Sequence, residues 1–242
     1  MIKYNYAPKK ATTMQIDFNK LKDEYCKIRD EFISFRKKYQ TEHPANEKEN
    51  DPRNLILANP IQLITIQRTN LELLEKSLLT DEFWRLNSDK TLTKESNIKH
   101  HDMYFRFSFF ILIIAHFESN LRRIESLIKD SEDNQSIRPT SKVYKYIIST
   151  LKISDEKKDE LLNFLDLIFT LRNAIHNNAI FHPNDKKDKT ITYKGKNYEF
   201  KVGESILNYG FQETLIFIQE LFELIKLILS DDKINSTTFN PK

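Results

Sequence analysis

The run FSFFILIIAHF, residues 107–117, constrains this chain more than any other stretch. Read as a helix it is apolar almost all round, and such a helix has to be buried. It is about half of the roughly 20 residues a membrane span needs, and Arg106 and His116 flank its apolar centre. Protein must therefore cover it, with Phe105 to Ile114 needing cover on all sides. Downstream the pattern turns amphipathic at Phe117, Leu121, Ile124 and Leu127/Ile128. One long helix over about 98–129 is the expectation, wrapped by others.

The rest of the chain supplies the wrapping. Apolar residues at Ile16, Phe18, Leu21, Tyr25, Ile28, Phe32, Phe35 and Tyr39 step by three and four, which predicts an amphipathic helix over 16–39. Residues 41–53, TEHPANEKENDPR, read as a loop or linker. A second helix is expected over about 60–79, with Pro60 in its first turn. A connector with a short helical piece around Phe83 and Trp84 follows, then the long helix and a loop over 130–140. A short helix over 142–151 comes next. Ser154 then caps a helix carrying Leu161, Leu162, Phe164, Leu165, Ile168 and Phe169. Only three glycines occur, which favours helices over a turn-rich β fold.

After Pro183 the period changes to two. The segment DKKDKTITYKGKNYEFKVGES predicts a β-hairpin over about 190–202, with Gly195-Lys196 as a type II′ tip. Tyr193 should then face Tyr198, and Ile191 should face Phe200. A last helix is expected over about 204–229, and residues 230–242 read as a polar tail. The fold class is all-α, an up-and-down helical bundle with a small β-hairpin insertion before the last helix. Residues 1–97 form an N-terminal helical region packing on a bundle domain over 98–229.

Several function classes fall away. Cys26 is the only cysteine, so no intrachain disulfide forms. There is no Gly-rich phosphate loop, Ser-His-Asp set or Cys-x-x-Cys pair, which removes kinase, dinucleotide-enzyme and zinc readings. The segment MIKYNYAPKKATT has no apolar core of a secretory signal. A cytoplasmic protein with no membrane partner is the expectation. Lys+Arg 38 against Asp+Glu 35 leaves a net charge of +3, which neither demands nor excludes nucleic acid.

The helix after Ser154 ends on LRNAIHNN, Leu171 to Asn178. Arg172 and His176 are four apart, so they share a helix face about one turn apart. Asn173 sits beside the arginine, and Asn177 and Asn178 suit a helix end, because asparagine tolerates the left-handed conformation. An arginine can hold phosphate oxygens while a histidine moves a proton. The competing reading is a plain helix end whose polar residues satisfy carbonyls.

LRNAIHNN after an apolar helix resembles the signature of the HEPN superfamily (higher eukaryotes and prokaryotes nucleotide-binding domains). HFESNLRRI, His116 to Ile124, looks like the first core helix of that family, with Glu118 at its acidic position. The resemblance covers roughly residues 98–229. It implies an all-α bundle and a metal-independent RNA endonuclease of toxin or antiviral-defence type, needing no cofactor. It also implies a homodimer in which two motifs form one cleft, and a possible antitoxin or other regulatory partner. Arg172 would polarise the scissile phosphate, and His176 would act as general acid or base while the ribose 2′-hydroxyl attacks. Asn173 would orient the pair, Asn177 would hold His176 or RNA, and Glu118 would face Arg172. Three residues separate Arg172 from His176, where the family's active motif usually has four to six. A second reading is therefore a non-catalytic HEPN domain for RNA or nucleotide binding or dimerisation, and a third is a purely structural helical protein.

Other residues carry weaker signals. The basic stretch Lys186-Lys187-Asp188-Lys189, with Lys194 and Lys196 near the hairpin tip alternating with Tyr193 and Tyr198, could grip RNA phosphates and stack on bases over the same cleft. The bland alternative is an edge hairpin kept soluble by lysines. His100 and His101 point about 100° apart on a helix and do not make a metal site. His116 reads as a hydrogen-bonded core histidine, and His182, before Pro183, as a loop residue.

Overall fold

The fold is known from a computed structural model, which describes residues 18–78, 80–86, 94–129, 139–206 and 211–239. Among these residues the chain is mostly helical with one small antiparallel hairpin. The elements are α1 (Phe18–Glu42), α2 (Pro52–Leu73), α3 (Asp81–Leu86), α4 (Lys94–Ile128), α5 (Thr140–Thr150), α6 (Asp155–His176), β1 (Lys189–Tyr193), β2 (Lys196–Phe200), α7 (Phe211–Leu229) and α8 (Asp232–Ser236). None of the described helices is long and apolar enough to cross a membrane. The expectations for residues 1–15 and for most of the 130–140 loop lie outside the described residues.

The N-terminal helices share one core with the others. Leu21, Tyr25, Ile28, Phe32 and Tyr39 form the buried stripe of α1. Tyr25 meets Phe109 of α4 edge-on at 5.6 Å, and Phe32 lies 4.1 Å from Phe222 of α7. Ring pairs of this kind add to the area they bury. α2 begins earlier than expected. Asp51 caps it through the Arg53 N–H, and Pro52 takes the first turn, where its fixed φ and missing N–H cost nothing. Pro60 is consequently inside α2, and a π-helical turn at Leu74–Leu78 follows.

The expectation that α4 is covered on every side is corrected. Phe109, Phe110, Ile113, Ile114 and Phe117 are buried, but Tyr104 and Leu112 are exposed. A wide arc of α7 is buried instead, from Thr214, Leu215, Phe217 and Ile218 to Ile228 and Leu229.

The hairpin forms with a different register. Tyr193 pairs with Lys196, Ile191 with Tyr198 and Lys189 with Phe200. The tip is Lys194-Gly195, with φ of 48° and 73°, so both central residues are left-handed as a type I′ turn requires. The shift is by an even number, so Ile191, Tyr193, Tyr198 and Phe200 still share the buried face. Phe164 of α6 touches Tyr193 at 5.2 Å, and Phe217 of α7 touches Tyr198 at 6.2 Å, which lays the hairpin on those helices.

Two expectations at the C-terminal side also change. Residues 204–206 are not helical. Ser205 bridges Ile180, the Phe181 N–H donates to the Glu204 carbonyl at 3.0 Å, and the Ile206 N–H donates to the Ala179 carbonyl at 2.9 Å. Leu207, expected in the last helix, lies outside the described residues. The supposed tail contains α8, capped by Asp231, with Ile234 fully buried.

Candidate functional site

Ser154 opens α6 by accepting from the Lys157 N–H, and Leu161, Phe164, Leu165, Ile168 and Leu171 bury its inner face. The helix runs to His176 and stops at Asn177, whose N–H donates to the Asn173 and Ala174 carbonyls. Asn178 and Ala179 then both take φ of 59°. The left-handed position expected of the asparagine pair falls on Asn178, and Ala179 shares it. Two left-handed residues in a row reverse the chain, so residues 181–189 come back along the end of α6.

Arg172 leaves α6 towards α4. Its Nη2 lies 2.5 Å from Glu118 Oε2, and its guanidinium carbon sits 5.6 Å from the centre of the Phe169 ring. Glu118 also accepts from Arg122 Nη2 at 2.7 Å and from the Thr140 hydroxyl. The carboxylate thus joins α4, α5 and α6. Burial pushes its pKa up, but the hydrogen bonds from Thr140 and Arg122 and the charges of Arg172 and Arg122 outweigh that and hold it below the usual glutamate value. Glu118 is therefore an anion. Arg172 Nε is buried and has no hydrogen-bond partner among the described residues.

Asn173, His176 and Asn177 face another way. They are exposed and line an open groove of about 570 Å³. Thr170 and Ala174 continue the helix wall, and Phe181, His182, Pro183, Asn184, Asp185, Lys187, Asp188 and Lys189 form the opposite wall. Arg172 is not part of that wall. On a helix it is about 40° round from His176, so His176 stands between the groove and the Arg172–Glu118 pair. The structure brings Glu118 to Arg172 and brings Asn173, His176 and Asn177 together, and it sets the two groups side by side.

The hairpin tip does not close over this groove. Lys194 pairs with Glu220 of α7, and Lys196 lies over the Tyr198 ring at 5.0 Å. Tyr193 and Tyr198 are buried, and Tyr193 donates to Glu220 Oε2 at 2.7 Å. Burial raises the pKa of both phenols. Neither ring offers a face to a base, so the stacking expected of them is corrected: they are core residues. The loop before β1 borders the groove instead.

His116 is half-buried, with Nδ1 accepting from Asn59 Nδ2 at 3.1 Å. His100 and His101 lie exposed on α4. Among the described residues no group of three or more His, Cys, Asp and Glu side chains could hold a metal ion. The residues the sequence reading missed are His182 and Asn184. The signal for them was the Asn177-Asn178 pair, because a chain reversal there returns the following residues to the helix end. No protein-family model, curated protein or solved structure matches this chain.

Proposed function

We propose that this chain is a metal-independent RNA endonuclease of the HEPN-like kind, centred on Arg172 and His176. The observation that carries the reading is the 2.5 Å ion pair between Glu118 and Arg172. It joins the acidic position of one core helix to the arginine of another, as the resemblance implies. One turn further on, the exposed His176 opens onto a polar groove. In this reading the groove takes a ribose and its 3′-phosphate. His176 transfers a proton as the 2′-hydroxyl attacks phosphorus, and the guanidinium of Arg172, held by Glu118 on the far side of His176, adds positive charge beside the groove. The need for a 2′-hydroxyl restricts the reaction to RNA. A homodimer, a toxin or antiviral role and an antitoxin partner belong to the same proposal and rest on the resemblance.

A second reading is a non-catalytic module that binds RNA or nucleotide, or dimerises. Its support is that Arg172 points at Glu118 and is absent from the groove wall. Incubating labelled total RNA with the protein in excess EDTA, beside His176→Ala at matched oligomeric state, separates the two. Cleavage that survives EDTA and vanishes in the variant is the expected result. Intact RNA in the presence of folded wild-type protein sinks the nuclease reading, and fluorescence anisotropy with the same RNA then tests the binding module.

A further inference from the structure

The groove at the end of α6 holds two histidines, and the reading above uses one. His176 is the last residue of α6, and His182 is on the returning segment, yet both line the same cavity. The segment that carries His182 is well anchored. The Ala179 N–H donates to the Ile175 carbonyl at 3.3 Å, and the Ile180 N–H to the Asn177 carbonyl at 3.1 Å. Phe181 is fixed by two backbone hydrogen bonds, to Glu204 at 3.0 Å and Gly203 at 2.9 Å, and its ring packs 5.4 Å from Phe200. His182 therefore leaves a held backbone. Both imidazoles are exposed and have no hydrogen-bond or ion-pair partner among the described residues. His116 and His43 differ, since Asn59 engages the first and the Tyr39 ring packs on the second at 4.8 Å.

We propose that His182 is the second proton-transfer residue of this site, so that one chain supplies both an acid and a base. The proposal rests on the RNA-cleavage reading and deepens it. In-line transphosphorylation needs proton transfer at two places. The 2′-oxygen bonds to phosphorus as its proton passes to one imidazole. The P–O5′ bond breaks as the other imidazole gives its proton to the departing 5′-oxygen. The products are a 2′,3′-cyclic phosphate and a 5′-hydroxyl, and proton exchange with water restores both histidines. Entering and leaving oxygens lie on opposite sides of phosphorus, so a single imidazole serves both poorly. Here His176 is on the helix wall and His182 on the loop wall.

The groove's charges fit the same chemistry. Lys187 is exposed and has no ion-pair partner among the described residues. Lys189 is tied to Asp166 at 2.7 Å and Thr170 at 3.1 Å. Lys187 is thus the cation on the groove wall left for a phosphate. Asp185 accepts from the Lys187 N–H and Asp188 from the Val202 N–H, which holds both carboxylates against the backbone. The volume suits a nucleotide-sized ligand.

The test uses wild type, His176→Ala, His182→Ala and His182→Gln in EDTA with two substrates. One is an RNA dinucleotide. The other is a nucleoside 3′-(p-nitrophenyl phosphate), whose leaving group departs without a proton. Each variant should lose about 100-fold or more in kcat on the dinucleotide, with a smaller change in KM. On the activated ester, the variant at one histidine should recover most of its rate and the variant at the other should not. His182→Ala cleaving the dinucleotide within about threefold of wild type, far short of a proton-transfer effect, would overturn the proposal while leaving an essential His176 intact. Variants at the two positions responding alike to the activated ester would overturn it as well. A wild type that cleaves neither substrate removes the nuclease reading and this proposal with it. Both side chains are exposed, so unchanged melting temperatures are expected and exclude loss of folding as the cause.

Discussion

Arg53 and Arg172 each meet a carboxylate, and the two pairs differ in how completely the protein uses them. Arg53 and Asp51 have side chains that are 0% exposed. Arg53 donates twice to Asp51, at 2.9 and 2.6 Å, and its Nη1 reaches the carbonyls of Ile234 and Thr237 at 2.9 Å each. Asp51 also caps α2, so the pair locks the start of α2 to α8. Arg172 and Glu118 remain 20% and 16% exposed, and Arg172 Nε has no partner among the described residues. An arginine whose donors all end on protein is structural. Arg172 leaves a buried donor unfilled and holds its carboxylate by one partly exposed contact, so that pair is the less completely satisfied of the two.

The largest test of that contrast is Arg53→Ala. It strands a buried Asp51 carboxylate and frees the α8 carbonyls, and the expected cost is about 3–5 kcal/mol. Arg172→Ala should cost about 1–2 kcal/mol, because the pair is partly wet and Glu118 keeps Arg122. Urea unfolding midpoints at constant m-value measure both. Equal losses would break the comparison and make Arg172 a structural residue like Arg53.

A smaller effect comes from acid. The folded pKa of Glu118 is depressed, so the stability it contributes is present above its unfolded value of about 4.3. That contribution is lost as pH falls through the folded value, which lies below the unfolded one. Glu118→Gln has no such titration. The wild type should therefore lose more stability than Glu118→Gln between pH 5 and pH 3, both values being about those that bracket a glutamate's titration. Parallel pH curves for the two proteins would show that the Arg122–Glu118–Arg172 cluster does not stabilise the fold.

Much of this architecture was legible because it is periodic. The three- and four-residue steps of α1, the Ser154 cap of α6 and the alternation of the hairpin each announce an element locally. The errors arise where distant residues decide. Nothing near Ile234 says that Arg53, far away in sequence, waits to bind the α8 carbonyls, so that helix read as a tail. Residues 204–206 read as helix, but the segment after α6 claims their backbone groups. The meeting of Glu118 with Arg172 was expected from the resemblance, and the turning of Arg172 away from the groove was not. His182 was missed because its place follows from two left-handed residues, and Ala179 gives no hint of one. Pro60 misled because proline in a helix interior is costly, and only its buried setting shows that α2 tolerates it.

The smallest expected effect concerns a third ion pair, Lys194 with Glu220, at the hairpin tip. Lys194 is half-exposed there, so the pair should contribute about 0–0.5 kcal/mol. Its backbone, at φ 48°, costs more than that for a lysine, and asparagine adopts this conformation more readily. Lys194→Asn makes an Asn-Gly type I′ turn, so the variant should be as stable as wild type or more stable by a few tenths of a kcal/mol, at about the scale of a turn substitution. Because the tip leans on α7 and the groove lies at the end of α6, RNA binding should not change. Weaker binding by Lys194→Asn, with stability intact, would return the tip to the RNA-contacting surface. It would also show that an exposed, paired lysine can matter more to a ligand than to the fold.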